Sequence, residues 1–156
     1  MNKNKFPGGY FRMKLNFTKK QYQQLMELLY LGEWTANSSR DFEDRNKEYD
    51  ELFQYVSSFA KDFGFDEQIT FDKKMKEYYP TPEFERKLDP YIEHNDNDIF
   101  WNELTMRLAK RDVQKNNEEF ETHEEYVERL FEIEEIYETE FEENGLENVV
   151  VKGVKP

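Results

Sequence analysis

The stretch Asp98–Lys115, "DIFWNELTMRLAKRDVQK", decides how the chain is read, because its apolar residues fall on two sides of a helix. At about 100° per residue, Phe100, Trp101, Leu104 and Leu108 form one side. Ile99, Met106 and Val113 form the other, with Ala109 close by. A helix apolar on opposite sides is packed on both, so the segment predicts the centre of a mainly α bundle. Arg111 falls within the first side and Arg107 at its edge. A buried guanidinium needs a carboxylate partner. The last helix can supply one. It runs from about Thr122 to Asn144, is stopped by Gly145, and carries Tyr126, Leu130, Ile133, Tyr137 and Phe141 as its core stripe. Glu134 and Glu140 flank that stripe, so Arg107 or Arg111 is expected to pair with one of them or with another inward carboxylate.

Working outward, Thr18 and Gln21 have the spacing of a capping box. They open a first helix carrying Tyr22, Leu25, Met26 and Leu29 and running to about Gly32. A second helix is expected over about Asp41–Phe63, with Gly64 placed to end it. "ITFDKKMKEYY" (69–79) reads as a short helix ended by "PTP". Thr81 and Pro82 start another, and Pro90 interrupts or restarts it. "EHNDND" (93–98) reads as a polar break whose aspartates cap the central helix. The alternation of "FRMKLNF" (11–17) and the β-branched run near 149–152 predict a two-stranded ribbon joining the termini. The sum is one domain of five or six helices over residues 13–156.

Charge is unevenly placed. Of 35 acids and 22 bases in 156 residues, 14 acids and one base, Arg129, lie in residues 116–147, which leaves the rest of the chain balanced. The first 26 residues carry six bases and no acid. An aromatic content of 17% argues for a folded chain rather than an acidic disordered one. Cysteine is absent, which excludes disulfides, thiol nucleophiles and cysteine-ligated zinc. Nothing approaches the roughly 20 apolar residues that span a bilayer, and the N-terminus has no secretory h-region. A cytoplasmic protein without membrane contact is the expectation.

Few residues carry recognisable chemistry. His94 and His123 are the two histidines. "THEEY" around His123 has Val127 where a metallopeptidase helix needs a second histidine. An EF-hand loop begun at Asp96 would put Phe100 and Trp101 at its fifth and sixth positions, so the motif fails. No phosphate-binding glycine loop or nucleophile elbow is present. No metal, cofactor or catalytic residue is therefore expected. The net charge of -13 opposes direct nucleic-acid binding. One feature stands out on the last helix: Glu121, Glu124, Glu128, Glu132, Glu135 and Glu142 share its outer face, with Phe131 beside them. Solvated faces usually mix signs, and like charges at this spacing repel. The row points to a basic partner, met by charge-steered association.

The combination "FTKKQYQQLMELLYLGEW", "FWNELTMRLAKRD" and "EFEENGLENV" resembles a family of short, acidic bacterial proteins to which no activity is assigned. The resemblance spans most of the chain from Met13 and implies a bacterial, cytosolic origin. It also implies Met13 as the natural start, with residues 1–12 a translated leader; Gly8 and Gly9 codons can read as a ribosome-binding sequence upstream of Met13. The leading expectation is thus a non-enzymatic adaptor or inhibitor that engages a basic protein through its acidic last helix. The alternative is a small enzyme or ligand-binding protein with a pocket near His94, Asp96 and Asp98.

Overall fold

The computed structural model describes residues 14–116, 118–150 and 152–153. Among them are four α-helices and one two-stranded antiparallel sheet: α1 (Lys19–Asn37), α2 (Lys47–Ser57), β1 (Ile69–Asp72), β2 (Glu77–Pro80), α3 (Pro82–Asn116) and α4 (His123–Asn144), with a 3-10 turn at Phe42–Asp44. The chain divides into two compact units, one ending at Pro90 and the other beginning at Tyr91. Where the sequence reads as one domain without a linker, the boundary falls inside α3.

The starts of α1, α3 and α4 follow the sequence closely, whereas α2 begins at Lys47 rather than near Asp41, after the 3-10 turn. Thr18 Oγ1 accepts from the Gln21 amide at 3.2 Å while Gln21 Oε1 accepts from the Thr18 amide at 2.9 Å, closing the capping box. Thr122 Oγ1 accepts from the Glu125 amide at 3.2 Å at the start of α4. Gly145, at φ 56°, ends that helix by donating its amide to the Phe141 carbonyl. Glycine is suited to that left-handed conformation. Gly64, at φ 66°, closes the turns that follow α2 and not the helix itself, which stops at Ser57 rather than near Phe63.

Three expectations are corrected. The helix count falls to four because α3 absorbs segments that read as separate. Pro90 lies inside it; a proline removes one helical hydrogen bond, and the bonds on either side carry the helix through. The polar run 93–98 also stays helical, its side chains engaged along the helix rather than as caps. Asn97 Oδ1 accepts from Trp101 Nε1 at 3.1 Å, and His94 pairs with Asp98 at 3.4 Å. The second correction is the sheet. Residues 69–80 form a hairpin, not a helix, with Ile69 opposite Pro80 and Phe71 opposite Tyr78. Asp72 Oδ1 accepts from the Lys74 and Met75 amides at 2.7 and 3.0 Å, building the turn, and Lys76 takes a positive φ of 61°. Gln54 of α2 then clamps β2: its side chain donates to the Tyr78 carbonyl at 2.9 Å and accepts from the Tyr78 amide at 2.7 Å. Third, residues 14–17 and 149–150, the described part of the expected terminal ribbon, form no strand. Leu15 and Val150 stand exposed there, so among the described residues nothing covers the apolar face that two strands would need to rest on. Residues 11–13 and 151 lie outside the described residues.

The core of the first unit is built from aromatic rings. Tyr22, Met26, Phe53, Ala60, Ile69, Phe84 and Leu88 are buried together. Tyr22 stacks on Phe63 at 4.3 Å, and Phe65 meets Tyr22 and Phe84 edge-on, each at 5.9 Å. Next to this core, the buried Ser57 Oγ has no hydrogen-bond partner. An unsatisfied buried hydroxyl is destabilising, so Ser57→Ala is expected to raise folding stability by about 1 kcal/mol in urea denaturation. A loss of stability would show that the hydroxyl is satisfied.

In the second unit α3 buries one stripe, Thr105, Ala109 and Val113, while α4 contributes Ile133 to the same cluster. Tyr126, Leu130 and Tyr137 close over it. Of the two apolar sides expected, Ile99 and Phe100 are exposed, Trp101, Leu104, Met106 and Leu108 are half-buried, and Ala109 and Val113 are buried. Within this unit α4 supplies a single packing surface, and small residues on α3 face it.

Candidate functional site

The outer face of α4 carries the glutamates that the sequence singles out. Its register follows from the buried positions. Ile133 and Phe141 lie inside, and Glu124, Glu128, Glu132, Glu135 and Glu142 are exposed. Glu121 precedes the helix and is also exposed. Phe131, 63% exposed, stands nearly opposite Ile133 and is flanked along the face by Glu128 and Glu135. Of the six glutamates, Glu132 is ion-paired, to Arg129 at 2.9 Å. Among the described residues the other five have no ion pair. Arg129 also reaches Glu118 at 2.9 Å, and this bond holds the Glu118 carboxyl below the usual carboxylate range. The single base of the acidic segment is thereby occupied on the segment's own carboxylates.

A notch opens beside this face. It measures about 390 Å3 and is lined by Trp101, Asn102, Thr105, Glu138, Phe141 and Glu142. Trp101 and Phe141 meet at 5.3 Å and form its aromatic part, while Glu138 and Glu142 stand exposed at its edge. The sequence reading assigned Trp101 to the core and did not single out Glu138. The helical spacing of four between Glu138 and Glu142 was the available signal.

The expected Arg–Glu pairing between α3 and α4 takes another form. Arg107 is 76% exposed and pairs with Glu103 one turn back at 2.9 Å. Arg111 pairs with its neighbour Asp112 at 2.8 Å and donates to the Tyr137 hydroxyl at 3.0 Å. Tyr137 in turn donates to Asp112 Oδ2 at 2.5 Å. The Arg111 bond, then the Tyr137 bond, hold the Asp112 carboxyl below its ordinary range; burial, then Asp112, push the Tyr137 hydroxyl up. So the α3–α4 polar link runs through a phenol and not through Glu134 or Glu140. Glu140 instead accepts from Asn148. The physical reason is exposure. Neither guanidinium is desolvated, so neither requires a carboxylate from the facing helix.

The alternative site is not assembled. His94 is 80% exposed on α3 and touches Asp98, and Asp96 is exposed beside them. The larger cleft lies elsewhere, in the first unit between α1, α2 and β2, and measures about 590 Å3. Its floor includes a polar cluster the sequence reading missed. Arg45 pairs with Glu33 at 2.5 Å and Asp50 at 3.1 Å. The buried Asn37 side chain donates to Glu33 at 2.8 Å and accepts from the Asn46 amide at 2.7 Å.

Comparison with family models, curated proteins and solved structures returns no match. No helix among the described residues is long and apolar enough to cross a membrane.

Proposed function

We propose that this chain is a non-enzymatic, cytosolic interaction protein, an adaptor or inhibitor, that engages a basic partner protein through the outer face of α4. The observation that carries the reading is the exposed glutamate row around Phe131, with one of its six carboxylates ion-paired among the described residues. Same-sign neighbours at helical spacing repel by a few tenths of a kcal/mol each. A cationic surface relieves that repulsion on contact. Phe131 supplies an apolar anchor where the electrostatic contact alone would be weak. The notch at Trp101 and Phe141, rimmed by Glu138 and Glu142, has the chemistry to take a long cationic side chain: an aromatic wall for its stem and carboxylates for its head. Association would be fast and salt-sensitive.

The test uses a deca-lysine peptide as the cationic probe. Changing Glu124, Glu128 and Glu135 together to Gln is expected to weaken binding about tenfold or more at low salt. A control with the same net charge, Glu43, Glu48 and Asp66 changed to their amides, is expected to lose about twofold or less. Equal losses in the two variants would mean that the probe senses net charge alone, and the assignment to α4 would fail.

A further inference from the structure

The cleft of the first unit lies outside α4 and is not used by the reading above. Two independent properties of its walls select a ligand class. Tyr30, Trp34, Phe42 and Tyr79 bring aromatic rings to it, and Phe42 is 85% exposed on its short 3-10 turn. An aromatic that open has no packing role to explain its position. The cleft's charge is the second property. Arg45 is already held by Glu33 and Asp50. That leaves Glu51, Glu77 and Glu85 against Lys47 as the other charged groups at the wall, and none of the four is ion-paired among the described residues. Anions are repelled from such a lining; Glu77 already accepts from the Tyr79 hydroxyl at 2.6 Å, and Glu51 stands exposed to meet a cation. A cation with an alkyl body satisfies both parts: ring faces attract it, and carboxylates accept its N–H bonds.

We infer that this cleft binds an alkylammonium group, carried either by a free polyamine or by a lysine side chain. Trp34 lines the cleft, and Trp101 is the only other tryptophan. In a full-length Trp101→Phe chain, Trp34 emission therefore reports on the site. The chain is titrated with spermidine and, separately, with Nα-acetyl-lysine methylamide, each against sodium chloride at equal ionic strength. A saturable change with at least one amine is expected. Saturation by spermidine marks a free polyamine, and saturation by the lysine derivative alone marks a protein lysine. Phe42→Ala and Glu51→Gln, both at exposed positions, should each weaken binding about threefold. The Glu124, Glu128 and Glu135 to Gln variant should leave it unchanged, which separates this site from α4. If Trp101→Phe disturbs the fold, the Trp34 indole N–H resonance of the unaltered chain gives the same readout. Changes that match sodium chloride for both amines, or affinity untouched by both cleft variants, would overturn the inference.

Discussion

Phe84→Ala is expected to remove about 3–5 kcal/mol of folding stability. Phe84 is 1% exposed, in the first turn of α3. Its ring meets Tyr30 at 5.7 Å and Phe65 at 5.9 Å, both edge-on. These contacts join α1, the turns after α2 and α3 in one core, so the loss includes a cavity and two aromatic pairs. Urea unfolding followed by Trp34 fluorescence measures it. A loss below about 1 kcal/mol would mean that the site collapses around the missing ring and that Phe84 does not organise the unit.

The second large effect is alkaline. Tyr22 is buried, stacked on Phe63, and donates its hydroxyl to the Val56 carbonyl at 2.9 Å. Burial first, then the charges of Asp62 and Tyr78, push its pKa from 10.0 to about 12. A raised phenol pKa favours the protonated form in the folded state. The contribution is fully present below the unfolded pKa and is lost as pH rises through the folded one. Between pH 10 and about 12 stability should therefore fall, by up to roughly 2–3 kcal/mol from this group. Tyr30, Tyr79 and Tyr137 are also raised, so Tyr22→Phe provides the comparison. That variant should be about 1 kcal/mol less stable at neutral pH, for the lost hydrogen bond. Its decline above pH 10 should be shallower. Parallel declines in the two proteins would show that Tyr22 ionises equally in both states.

What the sequence made legible were features set by neighbours in the chain. The Thr18–Gln21 capping box, the start of α4 at Thr122 and the glycine stop at Gly145 depend on a few adjacent residues. The buried stripe of α4 depends on period alone. The hairpin at 69–80 was not legible, because its turn uses Asp72 side-chain bonds and a left-handed Lys76 in place of an Asn-Gly or Gly-rich signal. Its pairing to Gln54 is a contact across 24 residues. Pro90 misled because it marks a unit boundary without ending the helix. At the site, the outward glutamates followed from helix period. Trp101 at the notch and the cleft over Arg45 needed tertiary placement. For Arg111 the sequence left the partner open among inward carboxylates, and it is the adjacent Asp112. The exposure of Arg107 was not legible, because a helical wheel assigns a side and a long arginine side chain reaches water from a flank.

The central claim is most directly tested by mapping backbone amide shifts of the isotope-labelled full chain as deca-lysine is added, at low salt and again at about 0.5 M salt. Shifts concentrated on Glu124–Glu142, with Phe131 among the largest, and suppressed by the added salt, are the predicted result. Shifts spread over α1 and α2 as strongly as over α4, or shifts on α4 that survive the salt unchanged, would contradict it.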